Sequence, residues 1–345
     1  MRKHFFSHLL FISFLALLVS VVSCTTKTRT ESESDAVKND SLSDQLTILN
    51  EAVARQPNSV NAWLNRARYF NEKELFNEAL QDVNKALSID ENNVDVYLVL
   101  SDVYLYSGKT QRSLEALKKA KQLAPADADV DVKTARLYLT MSDYKQTFNS
   151  LREALKKDPQ NAEAFFISGL ANEEMGDTSK AIDSYQNAVA RNQKHFDALK
   201  QLGIIFSIRH DKLAIDYLRN ASQVNPRNSE PLYILGMYYQ ENNDPDKALS
   251  VYREIIQIDS VNKLAHYNTG YVLMVYKREY QKAAEAFSKA LEIDPDYTDA
   301  LYNRGYAYEL MGDVKSARKD YERVLRMKVN DDKAIQGLNR LDNAG

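Results

Sequence analysis

Cysteine is nearly absent from this chain of 345 residues, which contains a single one, Cys24. One cysteine allows neither an intramolecular disulfide nor the paired thiolates of a zinc site. Beyond the N-terminal segment, the only histidines are His195, His210 and His266, which are far apart in the sequence. The chain also lacks His-Glu-x-x-His, Gly-x-Ser-x-Gly and a glycine-rich phosphate loop. We therefore expect no enzymatic activity, no cofactor and no metal site.

An excess of positive charge is missing as well. Lysine and arginine number 45 against 48 acidic residues, for a formal net charge of −3. The formal charge falls to −5 when Arg2 and Lys3 are removed with the N-terminal segment. Binding to nucleic acid requires a basic surface. The sequence therefore predicts no nucleic-acid partner.

Glycine is sparse, yet five of the ten glycines recur at a nearly constant interval of 33 to 35 residues. Each is followed about a dozen residues later by an alanine, and four residues after that by a large apolar residue. A period of this length indicates stacked helical units, and no strand-like alternation is sustained, so we predict an all-α fold. The glycines are Gly169, Gly203, Gly236, Gly270 and Gly305, the alanines Ala181, Ala214, Ala248, Ala283 and Ala317, and the large residues Tyr185, Leu218, Tyr252, Phe287 and Tyr321.

This spacing resembles the tetratricopeptide repeat (TPR), with Gly305, Tyr308, Ala317 and Tyr321 as the clearest copy. The resemblance implies an α-solenoid, a right-handed superhelix of helix-turn-helix units in which each unit is stabilised by its neighbours. We predict a TPR array over residues 43–342, with about eight full repeats, an N-terminal half repeat and a C-terminal capping helix over 332–342. The units start near Val60, Val94, Ala128, Ala162, Phe196, Ser229, Lys263 and Thr298.

Three irregularities interrupt the repeat. The unit at Phe196 is one residue short and the unit at Lys263 is one residue long. Because turns tolerate changes of length, we place both changes in the turns between paired helices, around 208–212 and 275–279. The second and third units carry Ser101 and Ala135 in place of the glycine, which predicts slightly looser stacking there.

The N-terminal segment has the pattern of an export signal. Arg2 and Lys3 precede an apolar run that is shorter than the ~20 residues of a membrane span. Its end, Val21-Val22-Ser23-Cys24, resembles a bacterial lipobox, which implies cleavage between Ser23 and Cys24 and acylation of Cys24. We predict a signal peptide over 1–23 and a flexible polar tether over 24–42; an uncleaved transmembrane anchor is the alternative.

The residue after Cys24 bears on the destination. It is Thr25 rather than aspartate, which in enterobacterial lipoproteins points to the outer membrane. We therefore expect a lipid-anchored protein of the bacterial envelope, in the outer membrane. The sequence leaves open whether the array faces the periplasm or the outside.

The resemblance also predicts a binding groove, because the first helix of each TPR unit lines a concave surface. Two inward positions lie one helical turn apart, one residue after the Trp63 site and one residue after the Gly305 site. In the N-terminal half these positions alternate between aliphatic and charged residues, whereas the C-terminal half is rich in tyrosine and methionine, which suit contact surfaces. Together with Met274, one turn later, the candidate partner-binding residues are Phe166, Leu170, Tyr233, Met237, Tyr267, Tyr271, Tyr302 and Tyr306.

Several functions fit these observations. The first is a non-catalytic scaffold, tethered by lipid, that binds peptide or helix segments of partner proteins in its groove. The second is an accessory subunit of an envelope machine for outer-membrane assembly, secretion or cell-wall synthesis, a role suggested by fold analogy. The third is a glycan-binding or enzymatic protein with an unrecognised site. The groove tyrosines could also serve only to pack neighbouring helices.

Overall fold

The computed structural model describes residues 33–343, with side chains from Asp44 onward. In this range every regular element is helical, which confirms the predicted all-α solenoid. The chain divides into two compact units, Met1–Gln45 and Leu46–Gly345, and of the first only the beginning of α1 (Glu33–Arg55) is described. The predicted signal peptide and Cys24 lie outside the described residues. Between Glu33 and Asn343, no helix has both the length and the apolar character of a membrane span.

Eight helical pairs follow α1, numbered here as units 1 to 8. Each first helix packs against the second helix of its own unit and, from unit 2 onward, against the second helix of the preceding unit. The first helices are α2 (Val60–Glu72), α4 (Val94–Tyr106), α6 (Ala128–Thr140), α8 (Ala162–Glu174), α10 (Phe196–Ile208), α12 (Glu230–Glu241), α14 (Lys263–Val272) and α16 (Thr298–Leu310).

The second helices bury a stripe of alanine and larger apolar residues against these first helices. A last helix, α18 (Asp332–Asn343), packs on the final pair. The second helices are α3 (Phe76–Ile89), α5 (Thr110–Leu123), α7 (Tyr144–Lys157), α9 (Thr178–Arg191), α11 (Leu213–Val224), α13 (Pro245–Ile258), α15 (Tyr280–Ile293) and α17 (Val314–Met327).

The N-terminal helix begins earlier in the sequence than expected. We predicted a flexible tether up to residue 42, whereas α1 already starts at Glu33. No glycine or proline interrupts the chain between Glu33 and Arg55, so nothing prevents the helix from extending upstream. Residues 33–42, which we predicted to be part of the tether, thus lie in α1, and residues 24–32 lie outside the described part.

The turn inside each unit has one recurring backbone feature. After every first helix, one residue adopts the left-handed conformation, and only three of these eight residues are glycines. In unit 4, Gly176 N–H binds Glu173 O at 2.9 Å and Asp177 N–H binds Asn172 O at 2.8 Å, which satisfies the last carbonyls of the helix. Asp177 then caps the second helix by accepting from Lys180 N–H. These interactions end one helix and begin the next within a few residues.

The two helices of a unit approach closely at the recurring glycine, the eighth residue of the unit. A methyl group added to Gly236 would lie 2.5 Å from Cε1 of Tyr252, and one added to Gly305 would lie 3.0 Å from Cε1 of Tyr321. Both tyrosines are fully buried. In these two units the glycine is required because an aromatic ring from the second helix occupies the space of its missing side chain, and at Gly203 the side chain of Leu218 occupies that space.

The first three units meet the same constraint with different residues. Ser101 and Ala135 are buried, and the facing position on the second helix carries Leu117 or Leu151 instead of an aromatic ring. The larger residue on one helix is thus matched by a smaller residue on the other. We find no need for the looser stacking that we predicted, because the volumes compensate each other.

The buried tyrosines also require a hydrogen-bond acceptor, which the twelfth residue of the unit supplies. The hydroxyls of Tyr185 and Tyr321 donate to Glu173 and Glu309, each at 2.6 Å. Tyr252 donates to Gln240 at 3.3 Å. Where the facing side chain has no hydroxyl, as in units 2, 3 and 7, the twelfth residue is apolar: Leu105, Leu139 and Met274.

Unit 5 departs from this matching, because buried Ser207 is its twelfth residue and Leu218 the facing one. Unit 1 departs further. Its twelfth residue is Asn71, but the facing residue is Val83, which has no hydroxyl. The amide oxygen of Asn71 is buried and has no hydrogen-bond partner. A buried polar atom left unpaired costs free energy, so Asn71 weakens the first unit.

The two changes of repeat length take different forms, and the one in unit 5 lies in the predicted region around 208–212. In unit 5 the connection between the helices is four residues long, and α11 begins only one residue before Ala214, whereas α9 begins three residues before Ala181. The missing residue is therefore taken from the first turn of the second helix. Because Asp211 Oδ1 accepts from Leu213 N–H, this shorter start is still capped.

The extra residue of unit 7 lies within the helix rather than in the turn. After α14 the backbone forms one π-helical turn over Leu273–Lys277, followed by left-handed Arg278. Both Arg278 N–H and Glu279 N–H bind Leu273 O. A π turn accommodates one additional residue without breaking the helix, so the following turn keeps the geometry of the other units.

The contact at Gly236 leads to a prediction about paired substitutions. Gly236→Ala should lower stability by about 1–3 kcal/mol, because the new methyl group overlaps the Tyr252 ring. Combining it with Tyr252→Leu copies the Ala135–Leu151 pair and should recover part of the loss. Thermal unfolding followed by circular dichroism measures both effects. If the stability losses of the two single substitutions simply add in the double variant, the steric explanation is contradicted. Gly305→Ala should lower stability less than Gly236→Ala, because its added methyl group would lie farther from the facing ring.

The unpaired amide of unit 1 gives a second prediction. Asn71→Leu should raise stability by about 1 kcal/mol, because it removes the buried amide oxygen that lacks a partner. Asn172→Leu is the matched control and should lower stability, since the Asn172 amide donates to Ser168 O at 2.8 Å. A fall in the unfolding midpoint of Asn71→Leu would refute the assignment.

Candidate partner-binding groove

The predicted groove positions are the fifth and ninth residues of each unit, both on the first helix. Contacts between neighbouring units show that these positions share one surface, named here the first-helix surface. Lys200 of unit 5 binds Glu230 of unit 6 at 3.0 Å, and Tyr267 of unit 7 accepts from Asn303 of unit 8 at 2.8 Å. Side chains of consecutive first helices therefore lie next to each other along the array.

The candidate residues differ in how much of the side chain is accessible. Phe166 is buried, with its ring 4.9 Å from the His195 ring and 5.7 Å from the Tyr185 ring. Leu170 is half-buried and packs at the edge of the same core. The sequence prediction treated both as partner contacts, but Phe166 offers little area because His195 of the next unit covers it.

Met274 is also buried, at 5 % exposure. We predicted it as part of the groove because it follows Gly270 by one helical turn. It is the twelfth residue of its unit, the position that faces the second helix in the other units, and it packs in the core with Phe287. Its placement does not support the prediction of a groove contact.

The remaining candidates form a row of half-buried side chains on α12, α14 and α16, named here the tyrosine ladder. Each of these helices contributes the fifth and ninth residues of its unit, so neighbouring pairs in the row belong to consecutive units. The members of the tyrosine ladder are Tyr233, Met237, Tyr267, Tyr271, Tyr302 and Tyr306.

The fifth residues of the ladder also take part in packing. The Tyr267 ring lies 5.6 Å from Phe287 and 5.1 Å from Tyr297, and burial, reinforced by the charge of Asp299, raises the pKa of its hydroxyl. Tyr302 lies 5.5 Å from the Tyr321 ring. We predicted partner binding and helix packing as alternative roles for these tyrosines. One side of each ring packs against the second helix, and the rest of the half-buried side chain remains accessible.

At its end the ladder meets α18. Tyr302 stacks on Tyr306 with a centroid distance of 6.4 Å and an interplanar angle of 8°. Lys333 Nζ lies 5.9 Å from the Tyr302 centroid, and Arg340 Cζ lies 5.5 Å from that of Tyr306. The rings thus already contact cationic groups from the same chain, as expected for electron-rich aromatic faces.

The charged residues of the N-terminal half are paired between units. Lys133 binds Asp102 at 2.6 Å, Arg136 binds Glu163, and His195 Nε2 lies 3.2 Å from the same glutamate. The network of Arg136 and His195 lowers the pKa of Glu163 against the opposing effect of burial. These ion pairs are partly exposed, so each contributes little stability, but they leave few free cations to hold a partner's carboxylate.

Two residues beside the ladder were missed by the sequence prediction. Tyr297, which precedes α16, and Asp299, in its first turn, flank Tyr267 and Tyr302. The segment Asp294-Pro295-Asp296-Tyr297 connects α15 to α16, and ring contacts across units do not follow from such a connecting segment. The recurrence of an acidic second residue in most units was the available signal for Asp299.

Among known proteins, matches to repeat-family models run along the array. Models described as tetratricopeptide repeat match residues 60–93, 94–127, 132–195, 229–262 and 298–330, and one described as TPR repeat matches 275–312. Together these segments cover well over half of the chain. The C-terminal part of a TPR repeat-containing protein from Cytophaga hutchinsonii has a TM-score of 0.55 and 19 % identity. The alignment covers 80 % of this chain and 99 % of that one, which shows the same fold.

Relatives in sequence include proteins named as members of multiprotein complexes. Anaphase-promoting complex subunit 3 of Schizosaccharomyces pombe is 26 % identical over 132 residues, 38 % of this chain and 20 % of the relative. BBSome complex member BBS4 of Bos taurus is 29 % identical over 133 residues, 38 % of this chain and 25 % of the relative. The matches thus span a quarter or less of either relative. From the repeat matches and the fold, the chain belongs to the tetratricopeptide repeat family, whose arrays bind peptides or proteins.

Proposed function

We propose that this protein is a lipid-anchored, non-catalytic scaffold that captures peptide or helix segments of partner proteins on its first-helix surface. The tyrosine ladder carries the proposal. Its six side chains are half-buried, so they are held by packing while part of each remains available for contact. Tyrosine in this state offers a large contact area at a low cost in conformational entropy.

The ninth residues of the ladder are the best candidates for direct contact. The rings of Tyr267 and Tyr302 each contact an aromatic ring of a second helix. Within the described chain, no such contact is made by the ninth residues Met237, Tyr271 and Tyr306. A partner segment would therefore lie along the ninth residues. The fifth residues would hold those side chains in position from the core side.

A second candidate role is that of an accessory subunit in an envelope complex, with assembly of outer-membrane proteins, secretion or cell-wall synthesis as the possible settings. The observation that favours it is the pair of relatives named as members of multiprotein complexes. Because this chain matches a quarter or less of each relative, their partners are not transferred to it. Partner identity distinguishes a dedicated subunit from a general scaffold.

The lipid anchor is part of the same proposal and rests on the sequence Val21-Val22-Ser23-Cys24. We propose cleavage after Ser23, acylation of Cys24 and retention in the outer membrane. More than one acyl chain would make the anchoring stable, since a single chain gives only marginal membrane binding. The array would then be attached to the bilayer through the chain that precedes α1.

The groove can be tested with two substitutions. Tyr271→Ala with Tyr306→Ala should reduce capture of native partners at least tenfold, because interface tyrosines commonly contribute more than about 1.4 kcal/mol to binding. Crosslinking in the native membrane, followed by mass spectrometry of the captured proteins, measures this. Tyr106→Ala is the matched control, since Tyr106 is 61 % exposed and lies outside the ladder.

Circular dichroism should show unchanged helicity for both variants. Equal capture by the ladder variant and the Tyr106→Ala control would refute the groove assignment. If crosslinking captures one fixed set of envelope-complex subunits, the second role is favoured. If it captures a varied set of proteins, the general scaffold is favoured.

The anchor can be tested by substitution of the acylated residue. Cys24→Ser should abolish incorporation of an alkyne-labelled fatty acid, because the sulfur atom of Cys24 is the site of lipid attachment. The precursor should also remain uncleaved, because the proposed cleavage site requires the lipid-modified cysteine. Fractionation should find the natural protein in the outer membrane. Fatty-acid labelling of the Cys24→Ser variant would contradict the proposal, and thermal unfolding of the variant array serves as the control for folding.

A further inference from the structure

The second residue of each unit lies on the same surface as the tyrosine ladder. It is acidic in six of the eight units. Two of these carboxylates contact groove residues of the preceding unit, since Glu163 binds Arg136 and Glu230 binds Lys200. A row of carboxylates thus runs along one side of the first-helix surface: Asp95, Asp129, Glu163, Asp197, Glu230 and Asp299.

The row is unevenly neutralised. Glu163 and Glu230 are in ion pairs, whereas the other four carboxylates are exposed and make no ion pair within residues 44–343: Asp95, Asp129, Asp197 and Asp299. Negative charge therefore remains uncompensated in units 2, 3, 5 and 8, and Asp299 of unit 8 lies beside the tyrosine ladder.

The cations of this region are largely committed to other carboxylates. Lys263 binds Asp294 and Arg340 binds Glu309, each at 2.6 Å. Lys333 is the exception, because it rests on the Tyr302 ring without a carboxylate partner in the described chain. The surface thus has free acidic groups and few free basic ones, which favours a positively charged ligand.

A cavity of about 240 Å³ lies where the starts of α16 and α18 meet. Asp299, Tyr302 and Asp332 are among the residues that line it, and Lys333 stands at its wall. A carboxylate beside an aromatic face is the combination that holds a guanidinium or ammonium group, through a charge-assisted hydrogen bond and a cation–π contact.

Cations of the chain itself already use the neighbouring rings in this way. Lys263 Nζ lies 5.4 Å from the Tyr297 centroid while its charge is paired with Asp294. Arg340 lies over Tyr306 and is paired with Glu309. The pair of Asp299 and Tyr302 offers the same two contacts: Lys333 already lies over the ring, and Asp299 makes no ion pair in the described chain.

We infer that the protein segment captured by the tyrosine ladder is basic, with a Lys or Arg side chain seated between Asp299 and Tyr302. Its apolar side chains lie on Tyr271 and Tyr306, and a second basic group faces Asp197. This inference rests on the proposed scaffold function and specifies the chemistry of the partner. The partner is a polypeptide, because the row of carboxylates extends over several units and one small cation would occupy only one site.

Two labelled peptides test the charge preference directly. Both alternate leucine with a charged residue, which is arginine in one peptide and glutamate in the other. Fluorescence polarisation with the full-length protein in detergent should show binding of the arginine peptide, weakened by added salt, and at least tenfold weaker binding of the glutamate peptide. Failure of the arginine peptide to bind, or equal binding of both peptides, would overturn the inference.

Substitution of the carboxylate locates the site. Asp299→Asn should weaken the arginine peptide about tenfold, because it removes a hydrogen bond to a charged group. Asp216→Asn is the matched control: Asp216 is exposed on α11, makes no ion pair in the described chain and lies on a second helix. Equal affinities of the Asp299→Asn and Asp216→Asn variants would overturn the placement at Asp299.

The outcome can be separated from that of the scaffold proposal. If the ladder substitutions abolish native crosslinks while Asp299→Asn leaves the arginine peptide unaffected, the scaffold stands and the basic partner is refuted. If a second copy of this chain occupies the surface, sedimentation will show a dimer that Tyr271→Ala weakens, and this too would refute the inference. Circular dichroism of each variant excludes loss of folding.

Discussion

The close approach of the paired helices at one small residue is the interaction on which the rest of the array depends. At Gly236 the Tyr252 ring occupies the space where a side chain would be. That contact sets the distance between the helices and the rotation of the first helix against the second. Because every unit stacks on the next through the same helices, the contact also determines which residues remain on the first-helix surface. The pairs Ser101–Leu117 and Ala135–Leu151 show that the total volume is constrained and not the identity of either residue.

The choice of an aromatic residue at this contact has a further consequence for the surface. A fully buried tyrosine must place its hydroxyl against an acceptor, and burial raises the pKa of Tyr185 so that the hydroxyl stays protonated and donates. Glu173, Gln240 and Glu309 supply the acceptor, so polar residues that resemble surface positions serve the interior. The first helices of units 6 to 8 keep their fifth and ninth residues partly accessible, whereas the fifth residues of units 1 to 4 are buried: Leu64, Leu98, Val132 and Phe166. The accessible surface of the candidate site therefore consists of the parts of its side chains that do not face the second helix.

The repeat period was sufficient to predict the helices and their pairing, because a glycine every 33 to 35 residues marks both the unit and the close contact. It was not sufficient to separate groove from core. Met274 and Phe166 lie on the predicted face of their helices, yet both are buried, since burial depends on the facing residue of another helix and not on spacing alone. The extra residue of unit 7 shows a similar limit: a longer turn and a π turn satisfy the same backbone groups. Only the hydrogen bonds from Arg278 and Glu279 to Leu273 O distinguish them.

The two halves of the first-helix surface use equivalent positions for different purposes. In units 2 to 5, charged groove residues such as Asp102 and Arg136 are paired with the next unit. In units 6 to 8, five tyrosines and Met237 occupy these positions, and Asp299 makes no ion pair within residues 44–343. Stability of a repeat array sums over neighbours, so such specialisation in one stretch does not require compensation in another. The exposed ion pairs contribute little to folding, so their main effect is to neutralise the charged groove residues of units 2 to 5. In unit 8 the uncompensated charge of Asp299 lies beside aromatic rings, and a ligand that uses both would favour the C-terminal units.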